Sequence, residues 1–401
     1  MLTIDAVDFY YAAEPEVTAD ADGSQDALLV RIIAGDLVAW GECEASPLTS
    51  IAAFVTPRSH GVCEPVAASV LGERLDSPAD IARMHQSVRR RSMDLLQAAH
   101  VWSGVEVALW DLLGRLHQEP VWALLGYREA LRKTPYASVL FGRTPAETFA
   151  TAEAAIADGY TAVKFGWAGF GAGDVTTDAA HLEAARAAMG SATLMVDAGQ
   201  IWADDVEAAL ARVPALLDAE VAWLEEPFAP DEYWLYAELA ERAPSLRLAG
   251  GEAAHNPDMA KTLIRYGGVS FVQIDTGRIG GILPSHQVAG FAASHGVTYV
   301  NHTFTSHLSL SAAMQAFAGQ PGSGWCEYPG ALRPLARVFP TREILRDADG
   351  LVAAPSEPGI GVGVDLDRLA PYLRRVELRV DGRDLVEQLE DGGARVGTRV
   401  S

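Results

Sequence analysis

The sequence predicts an α/β protein built on a (β/α) barrel with a second domain. Six ionisable residues recur at intervals of 23 to 28 residues, the length of one strand–helix unit: Asp197, Glu225, Glu252, Asp275, His302 and Glu327. Each except Glu327 follows a short apolar or β-branched run, as expected for a buried strand. The 401 residues also exceed a barrel of about 200–250 residues. Because catalytic residues collect at one end of barrel strands, these six residues are also the candidate site.

The elements follow one another in the order that such a fold requires. Residues 1–60 are rich in strand patterns, and residues 79–116 show a helical pattern with one apolar face. From residue 136 to residue 327, strand and helix patterns alternate. After residue 330 the chain is rich in proline and then in glycine, and we expect its last ten or so residues to be disordered.

Composition and charge limit the possible partners. Hydrophobic residues make up 49% of the chain and charged residues 21%, and no apolar run approaches the roughly 20 residues that span a bilayer. The N-terminus lacks a basic segment, so we expect a cytoplasmic protein with no membrane partner. The net charge of −22 argues against a nucleic-acid partner but neither identifies nor excludes a small acid as substrate. The three cysteines (Cys43, Cys63 and Cys326) have no metal-type spacing, which suits a reducing cytoplasm.

Three of the six recurring residues form a candidate metal site. Asp197, Glu225 and Glu252 should end three consecutive strands that lie about 4.8 Å apart. Carboxylates at that spacing repel one another unless a cation lies among them. A hard divalent ion with oxygen ligands fits, and Mg²⁺ keeps positions open for substrate oxygens. The alternative is that these residues are solvated acids that cap the following helices.

Asp275 and His302 should end the next two strands as neighbours. A carboxylate beside an imidazole fixes the tautomer and stabilises the imidazolium, which makes the pair a competent general base. The alternative is a hydrogen-bonded pair with a structural role only. His307 competes for the catalytic role, but it follows Ser306, where a helix is expected to begin. We therefore favour His302 and expect His307 to be a pocket or structural residue.

Two further residues complete the candidate site. Lys164 ends a strand on the opposite side of the barrel from His302. It could bind a substrate carboxylate or, with a depressed pKa, move a proton, although a solvated surface lysine is the alternative. Glu327, if protonated, could donate a hydrogen bond to a developing enolate oxygen. A metal that binds a carboxylate with a base beside it indicates one reaction class, the abstraction of the proton α to that carboxylate.

These residues resemble the enolase superfamily and, within it, the mandelate racemase group. The match covers nearly the whole chain, and its strength lies in the order of the motifs rather than in any one of them. The motifs are Met195-Val-Asp197-Ala, Trp223-Leu-Glu225-Glu-Pro-Phe, Gly251-Glu252, Gln273-Ile-Asp275 with Ile279-Gly-Gly, Asn301-His302 and Glu327. The helical segment from Gly104 to Arg115 and the segment from Glu357 to Asp365 resemble further parts of that family.

The resemblance implies a modified (β/α)7β TIM barrel covered by an α+β cap that both termini build. It places the N-terminal part of the cap at residues 1–128, the barrel at residues 129–331 and the C-terminal segment that completes the cap at residues 332–401. Family members commonly form symmetric assemblies, so we expect a homo-oligomer.

The resemblance also assigns roles to the site residues. Asp197, Glu225 and Glu252 would be the Mg²⁺ ligands, and Asp275 and His302 would be the base dyad. Glu327 would be the hydrogen-bonding residue of the last strand. We expect the neighbouring Glu226 to support the ligands rather than to bind the metal.

The chain departs from the family at the second barrel strand. Many members carry Lys-x-Lys there, and the second lysine is a base on the face opposite the histidine. Here the sequence is Lys164-Phe-Gly166, so that base is missing. Racemisation needs proton transfer on both faces, whereas dehydration can proceed with His302 alone. The resemblance is therefore closest to the acid-sugar dehydratases, which act on small carboxylates.

Other functions remain open at this point. A racemase, an epimerase or a lactone cycloisomerase would use the same enediolate. A metal-dependent hydrolase would carry His-x-His on an early strand, which this sequence lacks. A non-catalytic scaffold that kept its metal site is the last alternative. Substrate specificity should come from residues 12–25 and 42–50, which are candidates to close over the pocket, and from the residues near the strand ends: Phe165, Trp167 and Arg278.

Overall fold

An antiparallel sheet and a long helix form the N-terminal half of the cap in the computed structural model, which describes residues 1–18, 24–43, 46–96, 99–171, 173–330 and 332–397. The strands are β1 (Leu2–Thr3), β2 (Ala6–Ala13), β3 (Asp26–Ala34), β4 (Leu37–Cys43) and β5 (Arg74–Leu75). The helices are α1 (Pro47–Val55), α2 (Pro78–Arg91), α3 (His100–His117) and α4 (Val121–Leu124), with 3₁₀ turns at Val66–Ser69 and Met93–Leu95. Strands β2, β3 and β4 pair in antiparallel order, and β1 pairs with β5.

The cap differs from the predicted pattern at two places. The helical pattern at residues 79–116 is broken, because α2 ends at Arg91, with Ser92 as its C-cap, and α3 starts only at His100. The Ser92 hydroxyl donates a hydrogen bond of 2.7 Å to the carbonyl oxygen of Glu64 and so ties the chain down where α2 ends. The strand-rich region of residues 1–60 also contains α1, which begins at a proline, a residue that suits the first turn of a helix.

Helix α3 packs closely on β4 because both elements carry a glycine at the contact. A Cβ atom on Gly41 would lie 2.1 Å from the carbonyl oxygen of Gly104. The buried apolar face of α3, which includes Val105, Leu109 and Leu112, then covers the sheet. The close approach of the two backbones explains why glycine is needed on each side of this contact.

Eight parallel strands form the barrel: β6 (Thr134–Leu140), β7 (Ala162–Gly166), β8 (Thr193–Asp197), β9 (Leu224–Glu225), β10 (Leu248–Gly250), β11 (Phe271–Asp275), β12 (Thr298–His302) and β13 (Trp325–Tyr328). Helices lie between them: α5 (Pro145–Ala157), α6 (Val175–Met189), α7 (Val206–Asp218), α8 (Tyr233–Arg242), α9 (Pro257–Tyr266), α10 (Thr276–Ile279), α11 (Ile282–Ser294) and α12 (His307–Gln315). The predicted (β/α)7β barrel is confirmed, and Glu327 does lie on the last strand. No helix in the described part of the chain is both long and apolar enough to cross a membrane.

Capping side chains explain where several barrel helices begin. The carboxylates of Asp174 and Asp205 accept hydrogen bonds from the backbone N–H groups of Thr177 and Ala208, at 2.8 and 3.0 Å. Asn256 and Ser306 cap α9 and α12 in the same way. Because the first N–H groups of a helix have no partner inside it, an acceptor at this position stabilises the start of the helix.

A side chain joins the two edge strands of the barrel sheet, β12 and β13, at the seam between them. The amide nitrogen of Asn301 donates to the carbonyl oxygen of Glu327 at 3.0 Å, and the Glu327 N–H donates back to Asn301 Oδ1 at 3.1 Å. Strand β13 pairs in parallel with β6 on its other side. The carboxamide thus takes the part of a backbone hydrogen-bonding partner and holds Glu327 beside the end of β12.

The C-terminal segment returns to the cap. It contains α13 (Pro334–Val338), α14 (Leu366–Leu369), a 3₁₀ turn (Ala370–Tyr372), β14 (Arg379–Val380), β15 (Arg383–Asp384), β16 (Glu387–Gln388) and β17 (Ala394–Gly397). Strand β17 pairs with β2, so both termini build the cap sheet, as predicted. Of the ten C-terminal residues expected to be disordered, residues 394–397 form this strand and residues 398–401 lie outside the described residues. The domain boundaries at residues 128 and 331 remain predictions.

Two buried carboxylates of α3 bind other segments, Glu106 the barrel helix α11 and Asp111 two further parts of the cap. Glu106 accepts hydrogen bonds from the N–H groups of Ile282 and Leu283 at the start of α11, at 2.6 and 2.9 Å. Asp111 accepts from the N–H groups of Trp40 and Ile360, both at 2.9 Å. Glycine is required on the far side, because a Cβ atom on Gly281 or on Gly359 would lie 2.0 Å from the nearer carboxylate oxygen. These contacts give a structural reason for the glycines in two of the motifs.

Candidate active site

Three carboxylates converge at the ends of β8, β9 and β10. Oxygen atoms of Asp197, Glu225 and Glu252 lie within 4.8 Å of one another. Asp197 and Glu225 are direct neighbours in the parallel register, whereas Glu252 lies two residues beyond the end of its strand. Asp197 is 4% exposed and Glu225 is fully buried. The three residues that were predicted to meet from distant parts of the sequence do meet.

The chemistry of this donor set fits a hard divalent cation. Burial raises the pKa of Asp197 well above its usual range, and the charge of Glu225 raises it further. Burial also raises the pKa of Glu225, against the opposing effect of Lys164. Oxygen donors that are buried and repel one another gain most from a cation placed among them. The residues present therefore fit Mg²⁺, the ion that enolase superfamily members generally use.

Lys164 lies at the centre of the carboxylates. Its Nζ atom lies 2.6 Å from Glu225, 2.9 Å from Glu327 and 3.4 Å from Asp197. Burial alone would lower the pKa of this lysine, but the negative charges of Glu225 and Glu327 outweigh burial and raise the pKa well above its usual value. The depressed pKa that was considered for Lys164 is therefore wrong for this arrangement, since the lysine is a buried cation among anions.

His302 and Asp275 form the expected dyad. Their backbones are paired in register on β12 and β11, and His302 Nδ1 lies 2.8 Å from Asp275 Oδ2. The other Asp275 oxygen accepts from the N–H of Arg278 at 3.1 Å, so the same carboxylate also caps α10. The second ring nitrogen of His302 lies 3.1 Å from Glu252. Burial would lower the pKa of His302, but Glu252, Glu327 and Asp275 together raise it to about 10.

Glu327 is the last of the charged residues around the pocket, and its carboxylate accepts hydrogen bonds. One of its carboxylate oxygens accepts from the N–H of Thr303 at 2.7 Å, and the other lies beside Lys164. Burial raises the pKa of Glu327, but Lys164 and His302 lower it more, to about 2. The protonated Glu327 that was considered is thus wrong for this arrangement, in which the carboxylate is ionised.

The pocket above these residues has one position at which a second base could be placed but is not. A cavity of about 230 Å³ is lined by Lys164, Gly166, Asp197, His302 and Glu327 together with Trp167 and Arg278. Lys164 and Gly166 are two residues apart on β7 and therefore face the same side. The position beside Asp197 that could carry a second side chain is thus occupied by a glycine.

Two of the three residues expected to shape the pocket do so. Trp167 and Arg278 line it, and Arg278 donates a hydrogen bond of 3.0 Å to Glu252. Phe165 does not, because successive strand residues point to opposite faces. Its ring is fully buried outside the barrel interior and packs against the ring of Phe141 at 5.0 Å. The alternation along β7 would have been enough to exclude Phe165 from the pocket.

The cap loops border a second cavity that continues from the first. This cavity of about 300 Å³ is lined by Gln25 and Glu42 of the cap and by Phe304 and Phe339, among other residues. The Ser306 hydroxyl donates to the Glu42 carboxylate and so fixes the end of β4 above the strand ends. Of the loops expected to close over the pocket, residues 19–23 and 44–45 lie outside the described residues.

His307 lies apart from the catalytic pocket. Its Nδ1 atom accepts a hydrogen bond from the N–H of Ile344 at 3.1 Å, and its ring packs edge-on against Tyr328. Ser306 caps the helix at this point, as expected. These contacts give His307 a structural place, and it is His302 that reaches the carboxylates.

Sequence reasoning left one residue of the site, Asn301, without a role and gave another, Glu226, only a general supporting role. Asn301 was noted only as part of a motif, yet its carboxamide closes the barrel seam and positions Glu327. Glu226 has a positive φ of 40° and is buried, with one oxygen bound to Gln200 at 2.7 Å and the other without a hydrogen-bond partner. A polar residue next to a predicted site residue was the signal available for both.

The comparisons with known proteins agree with this geometry. The enolase C-terminal domain-like family matches residues 147–368, and the mandelate racemase/muconate lactonizing enzyme N-terminal domain matches residues 10–126. A solved structure of a predicted mandelate racemase from Rhodobacter sphaeroides is 56% identical and superposes with a TM-score of 0.93, over 96% of this chain and 99% of that one.

Two curated relatives carry out different reactions. A 3,6-anhydro-α-L-galactonate cycloisomerase from Streptomyces coelicolor is 30% identical over 275 residues, which cover 67% of this chain and 70% of the relative. An L-rhamnonate dehydratase from Saccharopolyspora erythraea is 33% identical over 287 residues, which cover 69% of this chain and 67% of the relative. Both relatives are named for sugar-derived acids, but one is named for a cycloisomerisation and the other for a dehydration.

Proposed function

The chain belongs to the mandelate racemase/muconate lactonizing enzyme group of the enolase superfamily, and on that basis we propose that it is a Mg²⁺-dependent dehydratase of an acid sugar. The product would be a 2-keto-3-deoxy acid. The observation that carries this proposal is Gly166, which faces the pocket beside Asp197 where a second base would be needed for racemisation. With one imidazole in place, a reaction that uses a single base fits best.

The metal would be held by the three converging carboxylates. We assign Asp197, Glu225 and Glu252 as its ligands, because their oxygens already lie within 4.8 Å of one another. When bound, Mg²⁺ would polarise the substrate carboxylate and stabilise the charge that deprotonation leaves on it. Arg278 would keep Glu252 in place through their hydrogen bond of 3.0 Å.

His302 would be the base that removes the α-proton, because Mg²⁺ held by Glu252 would offset the negative charge that raises the pKa of this imidazole. Asp275 holds its Nδ1 atom at 2.8 Å, so the Nε2 atom is the nitrogen directed at the pocket. The same imidazole, once protonated, can return the proton to the β-hydroxyl group as it leaves as water. The proton taken from the α-carbon leaves together with the β-hydroxyl group as one molecule of water. The enol that remains then tautomerises to the ketone, so the reaction balances.

Lys164 and Glu327 would orient the substrate acid from the other side. The lysine presents a cation inside the ring of carboxylates, and such a charge suits a substrate carboxylate oxygen. Glu327 is fixed by Thr303 and by the Asn301 bridge, so it can hold Lys164 or a substrate hydroxyl at a defined position. We assign both residues to binding and orientation rather than to removal of the α-proton.

A lactone cycloisomerase is the second candidate. The similarity to the Streptomyces coelicolor cycloisomerase favours it, and opening or closing a ring through the same enediolate also requires one base. Product mass separates the two reactions, because dehydration lowers the mass of the acid by one water molecule, whereas cycloisomerisation leaves the mass unchanged.

The test is a screen of sugar acids and their lactones with Mg²⁺, followed by one variant. We expect ketone formation from at least one acid, and we expect His302→Asn to lower both kcat and α-proton exchange in deuterated water by about a thousandfold. That loss lies within the range of about 10²–10⁴ that general base catalysis contributes.

The matched control is His307→Asn, because His307 is a buried histidine on the same side of the barrel but outside the pocket. This variant should keep its exchange rate within a few-fold when it is folded. Persistent exchange in His302→Asn together with loss of exchange in Lys164→Ala would assign the base to the lysine and contradict the proposal.

A further inference from the structure

We propose that the cap carries a second metal site, of the zinc type, formed by His60, Cys63 and Asp94. The ring nitrogen, the thiol sulfur and a carboxylate oxygen of these residues lie within 4.8 Å of one another. The group is separate from the barrel site in sequence and in donor chemistry. Cysteine spacing alone gave no sign of it, because the partner of Cys63 is a histidine three residues earlier.

Backbone hydrogen bonds fix the positions from which the three side chains extend. The Cys63 N–H donates to the His60 carbonyl at 3.1 Å, and the Ser59 N–H donates to the Cys63 carbonyl at 3.0 Å, which closes a tight turn. The Asp94 N–H donates to the Val62 carbonyl of the same turn at 3.1 Å. The third ligand is thus attached to the turn that supplies the other two, although it is some thirty residues away in the chain.

In one of its two neutral tautomers, the His60 ring presents the lone pair of Nε2 to a metal. Its Nδ1 atom lies 3.2 Å from the Ser59 hydroxyl, and its Nε2 atom lies 3.0 Å from Asp94 Oδ2. If Nδ1 donates to the hydroxyl, the lone pair of Nε2 faces the carboxylate, and two electron-rich atoms at that distance need a cation between them. A metal ion in place of a proton meets that need, in the way that a hydrogen bond on one imidazole nitrogen commonly orients the other toward a metal.

The surrounding charges do not oppose a cation here. The two arginines that flank the turn, Arg58 and Arg91, both pair with the Glu64 carboxylate. The side chains of His60 and Asp94 are 57% and 42% exposed, so water can reach the site and fill a fourth position. Exposed side chains can also rotate to shorten their separations to those required by zinc bonds of about 2.0–2.3 Å.

The donor types separate this site from the barrel site. Thiolate and imidazole are soft and borderline ligands that suit Zn²⁺ or Co²⁺, whereas the three carboxylates of the barrel suit Mg²⁺. The two sites can therefore be filled by different ions in the same molecule. A bound zinc ion would join the turn at Ser59–Cys63 to the 3₁₀ turn at Met93–Leu95, between α2 and α3, and would stabilise this edge of the cap.

The experiment is a titration of the full-length protein with Co²⁺ in the presence of excess Mg²⁺, which occupies the barrel site. We expect one equivalent to bind with the near-ultraviolet absorption of a cobalt–thiolate bond. Only Cys63 is placed to give this band, because Cys43 and Cys326 are buried. Zinc should then displace the cobalt and raise the melting temperature.

Variants of the proposed ligands test whether these residues bind the metal. Cys63→Ser should remove the thiolate band, and both Cys63→Ser and His60→Ala should weaken binding by at least about tenfold, which is the loss that even a supporting partner of a metal ligand causes. His295→Ala, which changes another exposed histidine, is the matched control and should bind as the wild type does. Absence of the band, or unchanged binding in Cys63→Ser, would overturn the proposal. Mg²⁺-dependent α-proton exchange should be unaffected in Cys63→Ser.

Discussion

Two of the regions that carry buried carboxylates in this molecule have contrasting surroundings. In α3 of the cap, Glu106 and Asp111 face backbone N–H groups that belong to other segments. At the mouth of the barrel, Asp197 and Glu225 face each other and the nearby Glu252. Burial raises the pKa of the acids in both regions. In α3 this rise is opposed by N–H donors at Glu106 and by the charge of Arg115, together with N–H donors, at Asp111, whereas the cation Lys164 opposes it in the barrel.

The comparison separates a structural carboxylate from a functional one. An acid whose lone pairs are satisfied by backbone donors holds segments together and has no need of a ligand. Several buried acids that share the single cation Lys164 still repel one another, and this repulsion lowers stability until a further cation binds. We therefore expect changes in the barrel to affect activity more than stability, and changes in α3 to affect stability more than activity.

The largest effect is expected for Glu225→Gln. Loss of one metal ligand should lower kcat/KM by about a thousandfold or more, since several kcal/mol of transition-state stabilisation depend on the metal. The free energy of unfolding without Mg²⁺ should change by less than about 1 kcal/mol, because Lys164 keeps two other carboxylates while their repulsion decreases. Kinetics and urea denaturation measure the two quantities, and Mg²⁺ should no longer raise the melting temperature of the variant. If Glu225→Gln fails to fold without metal, the proposed difference between the barrel carboxylates and those of α3 is contradicted.

Glu106→Gln should give the reverse of the result expected for Glu225→Gln, with a large loss of stability and little change in turnover. Three N–H donors, from Ile282, Leu283 and Trp110, bind the two oxygens of Glu106, and an amide offers only one acceptor in their place. We expect a loss of about 3 kcal/mol in the free energy of unfolding, measured by urea denaturation, because a buried donor without a partner costs about 1–3 kcal/mol. The turnover of the folded variant should stay within a few-fold of the wild type. Glu183→Gln on the exposed face of α6 is the control and should shift stability by less than about 0.5 kcal/mol.

The smallest effect at neutral pH concerns another buried group, His85, at the interface between α2 and α3. His85 of α2 accepts a hydrogen bond from Trp102 at 3.0 Å, and burial, helped by the charge of Arg89, lowers its pKa from 6.5 to about 4. The unfolded chain therefore binds a proton more readily, so the stability due to neutral His85 is full above about pH 6.5 and is lost as the pH falls toward 4.

The expected loss is about 1.4 kcal/mol for each pH unit within that window, or about 3 kcal/mol in all. Urea denaturation of the wild type and of His85→Asn, measured at several pH values, gives the difference directly. Parallel curves for the two proteins would show that His85 does not titrate in this way and that the interface tolerates its charge.

The sequence was sufficient to predict the barrel and the residues that meet at the C-terminal ends of its strands. The recurrence from Asp197 to Glu327 follows from the constant length of a strand–helix unit, and parallel strands bring the end of each unit to one edge of the sheet. The pairing of Asp275 with His302 follows in the same way from strand register. The break between α2 and α3 could not be predicted from the sequence, because both helices carry the same apolar periodicity. The interruption depends on a contact of Ser92 with a distant segment.

What the sequence determined by itself was the identity and order of the chemical groups, since periodicity and chain direction decide which strand end each one occupies. Only the tertiary structure decided their ionisation and their neighbours. Lys164 is a buried cation and Glu327 an anion because each is surrounded by opposite charge that other strands supply. Likewise, only packing shows that Glu106 is a structural acid and that His60, Cys63 and Asp94 meet. Burial and distance between residues far apart in the chain set these properties, and neither is encoded in a local pattern.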